Sequence, residues 1–415
     1  MKFSSHNFTI NINIPNNYYG ETEYYTKLNE KYKIIRYNKD ILSIDLISTY
    51  GLFRSIILNS NNQVVGFAPP KSIPADQFIK NYPTKATHII AQEFVEGTMI
   101  NVFYDPVING WKIATRNTVD AEVSFYKKEN GKTFRTMFEE ACQQNGLILD
   151  ALNPKFCYSF VLQHPNNRIV VPFSKPQLYL VEVYEIIQKE TALNVEVIPQ
   201  HISRVSDLLS DGQWQNTTIR FPEVYEFATY SELIDKFASA NTPYDIMGIV
   251  IKNMETHERT KVRNPIYEEV RHLKGNHCKL QYQYLTLRKD GKLPEFLKYY
   301  PETKKDFSEC RDKVHIFTNA LYQNYLACYV RKEKPLHMFG QQYRTHMFNI
   351  HQQFINDLKP QSLFVTNTVV QKYVNNLHPS LLMHSLNFHL RKQNVDAIKA
   401  SETTTDSATD STTDI

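Results

Sequence analysis

The sequence predicts an α+β protein: a domain of antiparallel sheets over residues 1–275, an all-helical domain over 276–398 and an unfolded acidic tail over 399–415. Two changes of texture carry this reading. Through about residue 275, β-rich runs come in pairs around Asn-, Pro- or Gly-containing bends, the pattern of hairpins. From about 276, apolar residues fall at helical spacing and glycine becomes rare. A third change, to "SETTTDSATDSTTDI", leaves a Ser/Thr/Asp segment with too little apolar surface to fold.

The elements follow in order. "FRSIILNSNNQVVGFAP" is two strands around an Asn-rich turn, and "MINVFYDPVINGWKIATR" is a hairpin turning at Asn109-Gly110. "KTFRTMFEEACQQNG" is a helix capped by Thr133 and ended by Gly146. "FCYSFVLQHPNNRIVVP" reads as another hairpin with "HPNN" at its bend. "QLYLVEVYEII" is a strand apolar on both faces, and "DIMGIVIKNMETHERTKVRN" is a further hairpin. Hairpins with inserted helices make an α+β domain. In the helical part, "HMFNIHQQFINDL", "NTVVQKYVNNL" and "LHPSLLMHSLNFHLRK" are helices, the last starting after Pro379. His337, His346, His351, His378, His384 and His389 have neither HExxH nor zinc-finger spacing and read as core or surface histidines.

Composition narrows the class. A chain of 415 residues, 42% of them hydrophobic, suits two or three domains with sizeable cores. Only 12 glycines argue against a Gly-rich phosphate loop. The formal charge of +4 permits a nucleic-acid partner without requiring one. Residues 251–334 carry 18 Lys and Arg against 11 Asp and Glu, either a solvated helical surface or a face for nucleic acid. The five cysteines include no CxxC pair, so they read as small buried hydrophobes in a reducing compartment. "MKFSSHNFTININIPNNYYG" lacks the apolar core of a secretory leader, and no run approaches the ~18 apolar residues of a spanning helix. The expectation is a cytoplasmic protein with no membrane partner, in the host cytoplasm if the source is a virus.

The stretch "HIIAQEFVEGTMINVFYDPVINGWKIATRN" carries the chemistry. Its hairpins, with those that follow, resemble the adenylation domain of phage-type RNA ligases over roughly residues 50–275. That family lies in the covalent nucleotidyltransferase superfamily. The wording "EFVEGT" and "SFVLQHP" is similar to that of divergent ligase-like proteins of large DNA viruses. The resemblance implies a lysine that attacks the α-phosphate of ATP. AMP then passes to a 5′-phosphate end, from which a 3′-hydroxyl displaces it. Such chemistry needs an amine whose pKa nearby cations depress. It also needs oxygen ligands for a divalent metal and basic side chains on the phosphates.

Position by position, the likeness is partial. The first motif, Lys-x-Asp/Glu-Gly-Ser/Thr, reads Phe94-Val95-Glu96-Gly97-Thr98, so acid, glycine and hydroxyl match and the lysine does not. "IATRN" supplies Arg116. In "SFVLQHPNNRIV", Pro165, Asn167, Arg168, Ile169 and Val170 match while the Glu position falls at Val161. The fourth motif, Glu-Gly-x-Val, reads Met247-Gly248-Ile249-Val250 and is followed by Lys252. The fifth, Lys-x-Lys, reads Lys261-Val262-Arg263. Arg54 in "LFRSII" and Lys71 in "APPKS" resemble basic residues flanking the nucleotide pocket.

Phe94 has no nucleophilic atom, and Val161 and Met247 bind no hard cation. No catalytic residue and no metal ligand is therefore assigned. Arg54, Lys71, Glu96, Gly97, Arg116, Lys252, Lys261 and Arg263 are the expected nucleotide- or phosphate-binding set. The leading reading is a catalytically degenerate ligase-like protein that keeps RNA binding or a scaffolding role, with no cofactor. The second is an active ATP-dependent RNA ligase, using ATP and Mg²⁺, with its nucleophile moved to Lys71, Lys252 or Lys261. Lys85 is excluded because nine extended residues at ~3.3 Å each put it roughly 30 Å from Phe94. The third is a structural or interaction protein of a large DNA virus. The helical domain is a candidate surface for a protein partner.

Overall fold

The computed structural model describes residues 7–12, 17–124, 131–188, 194–200, 214, 216–391 and 393. The chain divides into two compact units, Met1–His272 and Leu273–Ile415. The tail over 399–415 lies outside the described residues.

The first unit is built on three antiparallel sheets. Its strands are β1 (Phe8–Asn11), β2 (Tyr19–Tyr25), β3 (Lys31–Tyr37), β4 (Ile56–Leu58), β5 (Val64–Phe67), β6 (Ile89–Glu93) and β7 (Thr98–Asp105). They continue as β8 (Gly110–Ala114), β9 (Phe156–Gln163), β10 (Gln177–Gln188), β11 (Asn194–Gln200), β12 (Val224–Tyr225), β13 (Gly248–Asn253) and β14 (Arg259–Arg263). The sheets run β1-β11-β10-β9-β7-β8, β12-β6-β13-β14 and β2-β3-β4-β5.

Turn chemistry explains the hairpins. Asn62 at φ 57° closes β4–β5 and Asn109 at φ 50° closes β7–β8, both in the left-handed region that Asn tolerates. A helix, Phe134–Asn145, has Thr133 Oγ1 accepting from the Thr136 amide at 3.1 Å. It ends at Gly146, φ 69°. It lays Met137 and Phe138 on Phe160, Leu162, Leu178 and Leu180. Strand alternation then turns Ser159 and Val161 to the opposite face of β9.

One hairpin expectation is wrong. "FCYSFVLQ" is β9, but "NNRIVVP" forms no partner strand. His164 begins a short 3-10 turn, Pro165–Asn167, and β9 pairs instead with β7 and β10. The reason is polar: the Val170 and Val171 amides that a ladder would use are donated to the Glu96 carboxylate.

The second unit is helical, including Leu280–Lys289, Lys304–Tyr325, Gln341–Gln353, Asn367–Asn376 and Pro379–Leu386. The last begins at Pro379, with His378 Nδ1 accepting from the Ser380 amide at 3.3 Å. His346 is a core histidine, bonded to Tyr373 Oη at 2.9 Å and Ser385 Oγ at 2.8 Å. Burial holds its pKa below the ordinary value. Among the described residues no three His, Cys, Asp or Glu side chains converge as a metal site, and no helix is long and apolar enough to cross a membrane. All five cysteines are free; burial pushes the thiols of Cys142 and Cys157 up to about 12.

Candidate phosphate-binding cleft

The segment after β6 is fixed by its own polar groups. Glu96 is 5% exposed, and its Oε1 accepts from the Val170 amide at 2.9 Å and the Val171 amide at 3.0 Å. Gln163 Nε2 donates to the Glu96 carbonyl at 3.0 Å, and Asn167 Nδ2 donates to Thr98 Oγ1 at 2.7 Å. Gly97, at φ +149°, lies where a Cβ would fall 2.5 Å from the Leu162 carbonyl oxygen. These bonds explain why the "EGT" and "NNRIV" wordings occur together. In the fold, Glu96 anchors the Val170–Val171 backbone, and Gly97 allows the close approach to Leu162.

The wall formed by β13 and β14 has the opposite character. In β14 the sequence Arg259-Thr260-Lys261-Val262-Arg263 alternates, so Arg259, Lys261 and Arg263 share one face. Ile249 and Ile251 of β13 point the other way, into a core with Phe78, Tyr230 and Leu233. Lys252 pairs with Arg259, Val250 with Lys261 and Gly248 with Arg263. A Cβ on Gly248, φ +130°, would sit 2.1 Å from the Val262 carbonyl oxygen, so glycine is required for the turn from Met247 into the strand.

One carboxylate answers two of these cations. A bulge in β10 between Leu180 and Glu182 changes the register there. Glu182 Oε1 lies 2.6 Å from Lys252 Nζ and 3.7 Å from Arg259 Nη1. Burial opposes ionisation of Glu182, but the charges of Lys252 and Arg259 outweigh it and hold the carboxyl below the usual range. Arg259 also donates to the Pro70 carbonyl.

Two further arginines extend the cluster. Burial, with the charges of Arg259 and Arg116 nearby, depresses the Arg54 guanidinium to about 10. Arg116 lies 5.4 Å over the Tyr37 ring, and its buried Nε has no hydrogen-bond partner among the described residues. At Lys261, burial and the charges of Arg259, Arg54, Arg263 and Lys252 lower the amine to about 6. Among the described residues no carboxylate pairs with it; its Nζ lies 4.8 Å from the centroid of the Phe94 ring. Arg263 also covers that ring, at 5.4 Å, and pairs with Glu268 at 2.5 Å.

The Val161 position is apolar in its surroundings as well as its identity. Val161 is 5% exposed and clusters with Val95 and Tyr179, against which Met99 and Val181 pack. Met247 precedes β13 as a partly buried side chain. The donor set therefore does not fit a protein-held Mg²⁺: such an ion needs six oxygen ligands, and the carboxylate among the β13–β14 cations is already engaged by Lys252 and Arg259.

Of the expected set, the fold groups Arg54, Arg116, Lys252, Lys261 and Arg263. Lys71 is exposed and forms no ion pair among the described residues, while Lys85 is held by Glu226 at 3.3 Å. Sequence reasoning missed Arg259 and Glu182. The i, i+2, i+4 spacing of Arg259 with Lys261 and Arg263 was a usable signal; the β10 bulge that brings in Glu182 left none.

No protein-family profile matches the chain. An RNA ligase of the Rhodothermus phage RM378 is 28% identical over 211 residues, which is 44% of this chain and 45% of that protein. Over that span the chain is similar to an RNA ligase. It spans under half the length of that relative. Among solved structures, a Naegleria gruberi RNA ligase variant with ATP and Mn is similar over 48% of this chain and 54% of its own, at 13% identity and a TM-score of 0.35. The same ligase with PPi is similar over 51% and 68%, at 16% identity and a TM-score of 0.33. In this chain the Phe94 ring lies beneath two cations, Lys261 and Arg263.

Proposed function

We propose that the first unit is an RNA-ligase-like module that binds the polyphosphate of ATP in this cleft and has no nucleophile at Phe94. One observation carries the reading: Arg54, Arg116, Lys252, Arg259, Lys261 and Arg263 crowd together, while Glu182 alone is the carboxylate set among them and Glu268 answers Arg263 at the rim. Cations withdrawn from water and left uncompensated are costly. A polyphosphate supplies several negative charges in the spacing that arginine forks and lysines grip. The likeness to a phage RNA ligase supports the choice of ATP over other polyanions and makes a 5′-phosphorylated RNA end the second ligand. The apolar surroundings of Val161 and the unsuitable metal donors support loss of the usual chemistry at the first motif.

Calorimetric titration tests this with three probes: inorganic tripolyphosphate, ATP and a short 5′-phosphorylated RNA. Tripolyphosphate and ATP should bind, and Arg54→Ala and Arg116→Ala should each weaken them by about tenfold, roughly 1.4 kcal/mol. Binding that neither substitution changes would refute the cleft assignment. RNA binding without any polyphosphate binding would instead make the cleft a nucleic-acid backbone site, with affinity falling steeply as salt rises.

A further inference from the structure

We propose that Lys261 is the nucleophile of this cleft: its amine takes the AMP moiety of ATP from a strand two places away from the vacated position. The inference rests on the polyphosphate-binding reading above and deepens it.

Three geometric facts point to this lysine. First, β6 and β14 flank β13, and Val250 is paired with Gln92 on one side and Lys261 on the other. Lys261 thus reaches across Val250 from the far strand, and its Nζ ends 4.8 Å from the centre of the ring at Phe94. The amine is delivered to the neighbourhood of the missing one by a different strand. Second, the other lysines are occupied or remote. Lys252 is bound to Glu182 at 2.6 Å, Lys85 is bound to Glu226, and Lys71 is exposed. Lys261 has no acidic partner among the described residues, and an aromatic face holds it without neutralising it.

Third, the groups around it are those that a phosphoryl-transfer step uses. Arg259 and Arg263 share its face on β14, Lys252 lies on β13, and Arg54 approaches from the segment before β4. All four are cations; Glu182 faces Lys252 and Arg259, and Glu268 pairs with Arg263, so among the described residues neither carboxylate is paired with Lys261. This company favours the neutral, nucleophilic amine, and the depression to about 6 leaves it largely unprotonated at neutral pH. The same cations hold the leaving pyrophosphate.

The step balances without a further reactant. The Nζ lone pair forms a bond to the α-phosphorus of ATP. The bond from that phosphorus to the oxygen bridging the β-phosphate breaks, and pyrophosphate leaves with the electron pair. The nitrogen loses a proton to solvent. The product is a lysyl phosphoramidate, stable in alkali and cleaved by acid.

The test uses the full chain, first treated with pyrophosphate to discharge any bound AMP. It is incubated with Mg²⁺ or Mn²⁺ and ATP labelled at the α- or the γ-phosphate. The expected result is one AMP per chain from the α-label only, acid-labile, mapped to the peptide containing Lys261. The adduct should be abolished in Lys261→Met and Lys261→Arg, each checked for folding and for tripolyphosphate binding. An independent readout is the pH dependence of Lys261 acylation by acetic anhydride, whose midpoint should lie several units below that of the exposed lysines. Binding of ATP with no adduct, or an adduct on another residue, would overturn the assignment of Lys261 while leaving the binding site standing. Failure to bind either ATP or tripolyphosphate would overturn both.

Discussion

Two clusters of the first unit have opposite chemistry. Around Val161, one is a dry cluster of Val95, Tyr179, Met99 and Val181. Across β13 and β14, the other is a row of cations, with Glu182 as the carboxylate of Lys252 and Arg259. In the ligase resemblance, both would be polar, one holding metal through carboxylates and one holding phosphate through lysines. Here the first is apolar packing, and the second carries Arg259 beside Lys261 and Arg263. The difference makes the proposed polyphosphate site testable apart from the apolar cluster. It also means that the cationic wall relies on very little internal compensation.

That reliance gives the largest expected effect. Replacing Glu182 with Leu leaves Lys252 and Arg259 facing each other without a counter-charge. Removing one partner of a buried pair costs about 3–5 kcal/mol. We expect a loss of that size in urea unfolding at pH 7, partly restored by tripolyphosphate. Its pH dependence has a definite sign. The Glu182 carboxyl is depressed in the folded protein. Its stabilisation is therefore complete above the ordinary carboxylate range and disappears as pH falls through the lower folded value. Wild type and variant should converge in acid. A neutral-pH difference below about 1 kcal/mol would show that the wall is compensated from elsewhere.

The dry wall is tested by Gly97→Ala. The new methyl would meet the Leu162 carbonyl at 2.5 Å and Val161 Cγ1 at 2.6 Å, on a backbone at φ +149°. We expect about 2–3 kcal/mol of destabilisation, since strain and overpacking act together. The same substitution should leave the Lys252–Glu182 pair in place. Unaltered stability would mean that the "EGT" turn is looser than its hydrogen bonds imply.

How much of this was legible depends on the kind of signal. The β7–β8 hairpin was readable because Asn109-Gly110 is local turn chemistry, and Thr133 and Gly146 marked a helix by the same logic. "NNRIVVP" misled because Glu96, about seventy residues earlier, captures the amides that β-branched residues advertise for a ladder. The grouping of Arg54, Arg116, Lys252, Lys261 and Arg263 followed from motif resemblance, whereas Glu182 required a bulge that composition does not encode. Glu96 shows what a motif position alone does not tell: its carboxylate anchors the Val170 and Val171 amides.

The smallest expected effect sharpens the contrast most, because it is a gain. In the unfolded chain Lys261 titrates at the ordinary lysine value of 10.5; folded, it is lowered to about 6. Between these values the unfolded state binds a proton that the native state does not, so the lysine's contribution to stability rises with pH. At pH 7 the native protein therefore bears a cost that Lys261→Met removes. Methionine can also lie on the Phe94 ring with a favourable sulfur–aromatic contact. We expect the ligand-free variant to be about 1–2 kcal/mol more stable than wild type at pH 7, in the range found when apolar residues replace costly buried charges. The advantage should shrink steadily toward pH 10, where both states of wild type approach the same protonation. Saturating tripolyphosphate should reverse the order, because the bound anion favours protonation of Lys261 and the variant has no amine to charge. A variant less stable than wild type at every pH would mean that Lys261 is a paired, protonated strut, and the cationic wall would then be as fully compensated as the dry one.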